Sequence, residues 1–94
     1  MVISVRFIGA LRGISGKSKL CINVRKMTPL RDIIKKITEQ LPQIAQAVVD
    51  PELEDPRPNT LILVNGKEIS VLDGLETMLK DGDEVVLVPI IHGG

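Results

Sequence analysis

Two glycines at the end of the sequence are the first candidates for chemistry. The sequence ends with the stretch VPIIHGG, in which an apolar run is followed by His92, Gly93 and Gly94. The carboxylate of Gly94 is an anion at neutral pH, because an α-carboxyl group has a pKa of roughly 3.5. Such a carboxylate resists nucleophilic attack until it is activated, for example as an acyl-adenylate made from ATP. Glycine backbone can also pass through a narrow channel at any φ angle. The stretch therefore predicts a terminus that reacts inside a partner's active site.

A second motif, LRGISGKS, nearly matches a phosphate-binding loop. Gly16, Lys17 and Ser18 fit the pattern G-x-x-x-x-G-K-[ST], but Leu11 stands where the first glycine is needed. That loop also requires a helix directly after it, whereas the next residues, KLCINV, alternate as a strand does. A hairpin loop is the prediction here. Cys21, in that strand, should face away from its apolar neighbours as a surface or filler thiol.

No other residues form a recognisable catalytic or metal-binding constellation. His92 has no Ser, Cys or Asp in a triad motif with it, so we interpret it as a tail residue that a partner reads. Lys17, Lys67 and Lys80 are interpreted as solvated charges on turns. One Cys and one His offer too few ligands for structural zinc. The sequence thus predicts no catalytic residue, no metal site and no cofactor bound by the chain itself.

The composition predicts one domain over residues 1–94 with a flexible Gly-Gly tail. Lys plus Arg and Asp plus Glu both number 12, and the chain has one Phe and neither Tyr nor Trp. Bulk charge therefore recruits neither nucleic acid nor an anionic membrane, and aromatic faces for base stacking are scarce. The sequence contains no apolar run of 18 residues and no basic leader before an apolar segment. We therefore expect a cytoplasmic protein without direct nucleic-acid or membrane contacts.

Alternating apolar residues predict strands at residues 2–8 and 19–25, joined by a long glycine-rich loop into an antiparallel hairpin. A helix is predicted next, with Thr28 as its N-cap and Pro29 at its first position. This helix should end at Leu41, because Pro42 follows. Its core-facing stripe is Leu30, Ile33, Ile34, Ile37 and Leu41.

The second half of the chain predicts a shorter helix, a loop and three more strands. PQIAQAVVD is assigned to the helix, and the proline-rich PELEDPRPN to an exposed loop. TLILV-NG-KEIS has the turn chemistry of a tight hairpin, and DGLETML that of a single turn. Residues 84–91 are nearly all apolar, which predicts a central strand buried on both faces. This order predicts an α+β fold of the β-grasp (ubiquitin-like) type, with a mixed sheet of about five strands packed on one main helix.

Three segments carry a resemblance to a known family. LILVNG, then LKDGDEVVLVP, and finally the terminal GG resemble the MoaD/ThiS ubiquitin-like sulfur-carrier superfamily over almost the whole chain. The stretch RPNTLILVNG and the ending HGG are also similar to the ubiquitin-related modifiers that serve tRNA thiolation. DGDEVVLVP is similar to the small subunit of molybdopterin synthase. The group includes the archaeal small modifier proteins.

The resemblance implies a carrier and not an enzyme. A ubiquitin-activating-type adenylating enzyme would use ATP and Mg to adenylate Gly94, and a sulfurtransferase would convert the adenylate to a thiocarboxylate. Gly93 would give the flexibility to enter the active site. The sulfur would go to a molybdopterin precursor, a thiazole or tRNA, through the molybdopterin synthase large subunit or a tRNA thiolation enzyme. His92 departs from the small or polar residue common at this position in MoaD-type tails.

Three alternatives stand beside this interpretation. The first is a ubiquitin-like modifier conjugated through Gly94 to lysines of target proteins. The second is a non-catalytic small subunit of molybdopterin synthase, and the third is a β-grasp interaction domain whose glycines do no chemistry. Members of the family usually dock through an apolar patch of the sheet, which here implies exposed residues of LILV and VVLVP.

Overall fold

The computed structural model describes residues 1–49 and 55–90 of the chain. These residues form three α-helices, seven short strands and two 3₁₀ turns. In chain order they are β1 (Val2–Phe7), α1 (Ala10–Ser15), β2 (Lys19–Asn23), β3 (Thr28–Pro29), α2 (Leu30–Gln40), α3 (Pro42–Val48), β4 (Thr60–Val64), β5 (Lys67–Glu68), the 3₁₀ turns Ile69–Val71 and Gly74–Glu76, β6 (Met78–Leu79) and β7 (Glu84–Pro89).

Five strands build one mixed sheet in the order β2-β1-β7-β4-β5, and β3 pairs with β6 in a separate two-stranded ladder. β1 and β7 are parallel, whereas the β1–β2, β4–β7 and β4–β5 pairs are antiparallel. The last strand of the chain therefore lies at the centre of the sheet, beside the first. This confirms the predicted β-grasp fold and the predicted place of the last strand.

The core lies between the sheet and α2. All five residues of the predicted apolar stripe on this helix are buried, and Leu30 and Ile33 are 0% exposed. From the sheet they meet the inward residues of the two parallel central strands. Burying a whole Leu or Ile side chain contributes roughly 1.5–3 kcal/mol, so the contact between these layers strongly favours folding. The inward residues of the central strands are Ile3, Val5, Phe7, Val85 and Leu87.

The start of α2 differs from the prediction. Thr28 and Pro29 form β3, and the helix begins at Leu30 with Pro29 as its N-cap in an extended conformation. The Thr28 hydroxyl donates to the Lys26 carbonyl at 2.8 Å instead of capping a helix amide. Pairing of Thr28 with Leu79 in the small ladder thus delays the helix by one residue.

The loop between β1 and β2 also differs from the prediction, because it contains α1. Leu11 and Ser15 of this short helix are buried. Gly16 ends it with a φ of 75°, and its N–H donates to the Arg12 carbonyl at 3.0 Å. A left-handed residue at this position favours glycine. The glycine that resembled part of a phosphate-binding loop is therefore a helix cap, and the predicted strand follows it.

Two expectations about the second half are wrong in part. The predicted exposed loop PELEDPRPN includes Pro56, which is buried, while residues 50–54 lie outside the described part. β7 is central, yet only one of its faces is fully buried. Val86 and Val88 on the other face remain half-exposed, because no helix covers that side of the sheet within residues 1–49 and 55–90.

No helix in these residues is long and apolar enough to cross a membrane.

A buried aspartate connects the start of β7 to the β4–β5 turn. Asn65 and Gly66 both have positive φ angles, as the predicted Asn-Gly turn requires. The Asn65 amide donates to Asp83 Oδ1 at 3.0 Å, and its oxygen accepts the Glu84 N–H at 2.9 Å. Asp83 Oδ2 also accepts the Lys80 backbone N–H at 2.8 Å. Lys80, predicted as a solvated charge, pairs with this aspartate at 3.2 Å.

The ionised form of Asp83 is favoured in the fold. Burial alone would raise the pKa of Asp83, but hydrogen bonds from Asn65 and Lys80 outweigh it, so the pKa lies below its usual value. A folded-state pKa below the unfolded one means that ionisation stabilises the protein above the usual pKa of about 3.9. This stabilisation is lost as the pH falls through the folded pKa.

We expect Asp83→Asn to lower the free energy of unfolding at pH 7 by about 1–3 kcal/mol, because the new amide would face donors with its own N–H groups. The deficit should shrink as the pH falls below about 4. Urea unfolding across pH 3–7 measures both effects. Asp73→Asn, on an exposed turn, is the matched control and should change little. A deficit independent of pH would contradict the role given to the ionised carboxylate.

Candidate functional site

The candidate site begins where the central strand ends. Pro89, the last residue of β7, pairs with Thr60 of β4, and the Ile90 N–H donates to the Asn59 carbonyl at 3.0 Å. Ile90 is 40% exposed, so the chain reaches the protein surface here. We call Pro89 and Ile90 the tail root. The sequence-assigned residues His92, Gly93 and Gly94 lie outside the described residues, as does Ile91.

The end of β1 contacts the tail root on the side opposite β4. The Ile8 N–H donates to the Leu87 carbonyl at 3.1 Å, which extends the parallel ladder by one bond. Gly9 follows with φ 59° and ψ −135°, a backbone conformation that glycine adopts far more readily than other residues. A β-carbon at Gly9 would lie 3.5 Å from Pro89 Cγ. The turn into α1 thus packs directly against the root.

An apolar strip crosses the outer face of the sheet beside the root. We call Leu61, Leu63, Val86 and Val88 the outer strip. Leu61 pairs with Val88 and Leu63 with Val86, so the four side chains lie on one face because strand residues alternate. Leu61 is 37% exposed, and the other three are half-buried. The resemblance implied exposed members of LILV and VVLVP, and among these four residues Leu61 is the one that meets this expectation.

A small cavity lies between the strip and the 3₁₀ turns. Its volume is about 150 Å³, and Arg57, Leu61, Ser70 and Ile90 are among its lining residues. The Arg57 side chain is paired with Asp55 through an Nε–Oδ1 contact of 3.0 Å. The hydrogen bond from Arg57 lowers the pKa of Asp55 below its usual value. Composition and spacing gave no sign of this pair, since both residues lie in a proline-rich stretch assigned to a loop.

The remaining sequence candidates are not brought together. Cys21 is exposed, as predicted, and faces away from the buried Ile22. Lys17 and Lys67 are exposed on their turns. Within the described residues, no group of three or more His, Cys, Asp or Glu side chains is arranged to hold a metal ion. What the geometry does present is an anchored tail root, exposed at Ile90, next to an apolar strip.

This arrangement of a mixed five-stranded sheet packed on one main helix defines a ubiquitin-like β-grasp protein. The ThiS family model matches residues 5–94. Small archaeal modifier protein 3 of Haloferax volcanii is 27% identical over 94 residues, covering 100% of both chains. Ubiquitin-related modifier 1 of Schizosaccharomyces pombe is 30% identical over 100 residues, again covering 100% of each.

Solved structures agree with this classification. The solution structure of small archaeal modifier protein 1 from Methanosarcina acetivorans superimposes with a TM-score of 0.84 at 28% identity, covering 99% of this chain and 96% of that one. The chain belongs to the ThiS family, within the ubiquitin-like sulfur carriers and modifiers that also include the MoaD and Urm1 proteins. The family consists of small carrier and modifier proteins that are generally not catalysts.

We expect Gly9→Ala to lower the free energy of unfolding by about 1–3 kcal/mol, since alanine is strained at this φ and ψ. The matched control is Gly13→Ala in α1, where an added β-carbon meets nothing within 4 Å. Removing a helix-interior glycine should stabilise by up to about 1 kcal/mol. Thermal unfolding of both variants measures the difference. Equal melting temperatures would contradict the assigned role of Gly9.

Proposed function

We propose that the chain is a sulfur carrier whose Gly94 carboxylate is adenylated by a partner enzyme and converted to a thiocarboxylate. The observation that carries this proposal is the position of the tail root. β7 is hydrogen-bonded on both sides, and the chain leaves it at an exposed residue, Ile90. Four further residues, fully extended, reach on the order of 13 Å. A rigid body can thus present a thin chain end to a buried active site.

The proposed chemistry has two stages. In the first, a Gly94 carboxylate oxygen attacks the α-phosphorus of the partner's ATP, forming the acyl-adenylate and releasing pyrophosphate. In the second, the terminal sulfur of a sulfurtransferase persulfide attacks the acyl carbon and AMP leaves. A thiol then reduces the resulting acyl disulfide and frees the thiocarboxylate. The side chains of the carrier take no part in either stage, which agrees with a family of small, generally non-catalytic proteins.

The outer strip is the proposed docking surface for the adenylating enzyme. It is contiguous with β7, so a partner bound there stands beside the tail root. Covering Leu61 and its neighbours would remove apolar area from water at roughly 25 cal/mol per Å². The recipient-side partners we propose are the molybdopterin synthase large subunit or a tRNA thiolation enzyme. Because activation consumes ATP, we propose the cytoplasm as the compartment.

A second candidate function is conjugation to proteins. It is favoured by the names of the two full-length relatives, both of which are called modifiers. The same Gly94 adenylate would serve, but a lysine amine would attack the acyl carbon, forming an amide bond as AMP leaves and the amine loses a proton. The activating partner would then transfer the whole chain instead of sulfur.

Intact-mass analysis separates these outcomes. After incubation with a cognate extract, ATP and a sulfur source, we expect a gain of about 16 Da, since sulfur replaces one oxygen of an α-carboxylate that is ionised at neutral pH. Deleting Gly93 and Gly94 should abolish the gain, whereas Lys67→Ala, on an exposed turn, should retain it. Heavier lysine-linked adducts would favour the modifier. An unchanged mass for the full chain in all conditions would overturn both candidates.

The docking surface is tested by Leu61→Arg. We expect the KM of the adenylating enzyme for the carrier to rise by about tenfold or more, because docking would bury the arginine charge against apolar residues without a partner. Val71→Arg is the matched control, since Val71 is 72% exposed and lies outside the outer strip. Adenylate formation at varied carrier concentration measures KM. The assigned surface is wrong if both variants behave alike while their unfolding curves remain normal.

A further inference from the structure

The charges of the chain are separated along the sequence although they cancel in total. Residues 1–31 contain seven Lys and Arg residues and no Asp or Glu. Residues 50–94 contain ten Asp and Glu residues and three Lys and Arg residues. Since β1 and β2 form one side of the sheet and β4 and β5 the other, much of the positive charge is concentrated at the β2 edge. The protein therefore has a basic side at the β2 edge although its net charge is zero.

The strongest concentration surrounds a depression at the end of β1. Its volume is about 360 Å³, and its lining includes the apolar Phe7 and Ile8 and the basic Arg6, Arg12 and Lys19. We call these three residues the basic pocket. Ser18 is a further residue of the lining. All three basic side chains are exposed, so a ligand can reach them from solvent.

Two of these cations face each other directly. Arg6 of β1 pairs with Lys19 of β2 in the antiparallel register, which puts their β-carbons roughly 4.5–5.5 Å apart on one face. Like charges directly opposite each other destabilise a sheet. Among the described residues, none of the three cations has a carboxylate within ion-pair distance. The nearest acid by register on this face is Glu84, which pairs with Ser4, two residues before Arg6.

The backbone around the pocket is fixed by internal hydrogen bonds. Ser15 is 5% exposed, and its hydroxyl donates to the Lys17 carbonyl at 2.7 Å and accepts the Lys17 N–H at 3.2 Å. The Phe7 N–H donates to the Ser18 carbonyl at 3.0 Å. These bonds hold the α1–β2 connection against β1. The three cations therefore project from a preformed frame, which lowers the entropic cost of binding.

We propose that the basic pocket binds a phosphate group. Two guanidinium groups can each give paired N–H donors to phosphate oxygens, and the ammonium of Lys19 adds a point charge. A compact dianion between Arg6 and Lys19 would also relieve their repulsion. Phe7 is buried and the chain has neither Tyr nor Trp, so the pocket recognises the phosphate and offers no stacking face for a base.

The pocket lies close to the tail root. Arg6 pairs with Val86 of the outer strip, and the Arg12 N–H donates to the carbonyl of Gly9, the residue that packs against Pro89. Resting on the proposed function, we assign the bound phosphate to the recipient of the sulfur. The pocket would hold a phosphorylated recipient on the same end of the molecule from which the thiocarboxylate emerges.

The test is a titration of the isotope-labelled full chain followed by amide NMR spectra. The probes are inorganic phosphate, tripolyphosphate and a single-stranded RNA of about ten nucleotides, within the usual site size for such strands. We expect saturable shifts centred on Phe7, Ile8, Arg12, Ser18 and Lys19. Tighter binding of the RNA than of tripolyphosphate would identify a nucleic-acid phosphate. Equal affinities for these two probes would identify a small phosphorylated recipient.

Charge-matched variants separate the pocket from general attraction. The triple variant Arg6→Gln, Arg12→Gln, Lys19→Gln should bind tripolyphosphate about tenfold or more weakly. Lys35→Gln, Lys36→Gln, Lys67→Gln removes equal charge elsewhere and should weaken binding less than about twofold. Equal losses from both, unsaturable shifts, or stronger binding of polyglutamate than of any phosphate would overturn the proposal.

The two proposals fail separately. A chain lacking Gly93 and Gly94 should still bind tripolyphosphate with unchanged affinity although it can no longer accept sulfur. If the full chain gains sulfur but shows no phosphate binding, the pocket assignment is wrong and the carrier function stands. If it binds phosphate but is never adenylated, the pocket stands and its assignment to a sulfur recipient is wrong.

Discussion

The parallel pairing of β7 with β1 is the constraint on which the rest of the structure depends. It brings the last strand to the centre of the sheet, where β4 pairs with its other edge, so the tail root is held by strands on both sides. Parallel neighbours need a long crossover connection, and α2 within that connection covers the inner face. The outer face stays uncovered along Val86 and Val88. One pairing thus produces the core, the tail root and the outer strip together.

The same pairing explains how chemistry can be divided between proteins. In the proposed mechanism the reacting group is the Gly94 carboxylate, while the described residues would supply anchoring and recognition. Asp83 and Asn65 fix the entry of β7, and the contact of Gly9 with Pro89 lies at its exit. The charge separation adds a second recognition element, because the basic pocket and the outer strip meet at the pairing of Arg6 with Val86. Partners of different chemistry could then approach one chain end.

The sequence predicted the five strands of the main sheet, the main helix and the Asn-Gly turn because their patterns are local, but it missed the short ladder of β3 and β6. The short helix α1 escaped prediction, since its glycine-rich sequence is helical chiefly through burial of Leu11. The Thr28 cap was wrong because a distant partner, Leu79, pairs with it. An all-apolar strand also gives no sign of which face is exposed. The partial exposure of Val86 and Val88 was therefore not predictable from the sequence. The order of the charged residues shows the charge separation, but the composition gives only a net charge of zero.

The central claim is that the carboxylate of Gly94, presented by an anchored strand, is the reacting group. It is tested most directly by pyrophosphate–ATP exchange with the adenylating partner, comparing the native chain with a semisynthetic chain ending in a Gly94 amide. The amide keeps every residue and removes only the ionised oxygen. We predict exchange with the carboxylate and none above background with the amide. Equal exchange with both chains, or none with either, would contradict the account.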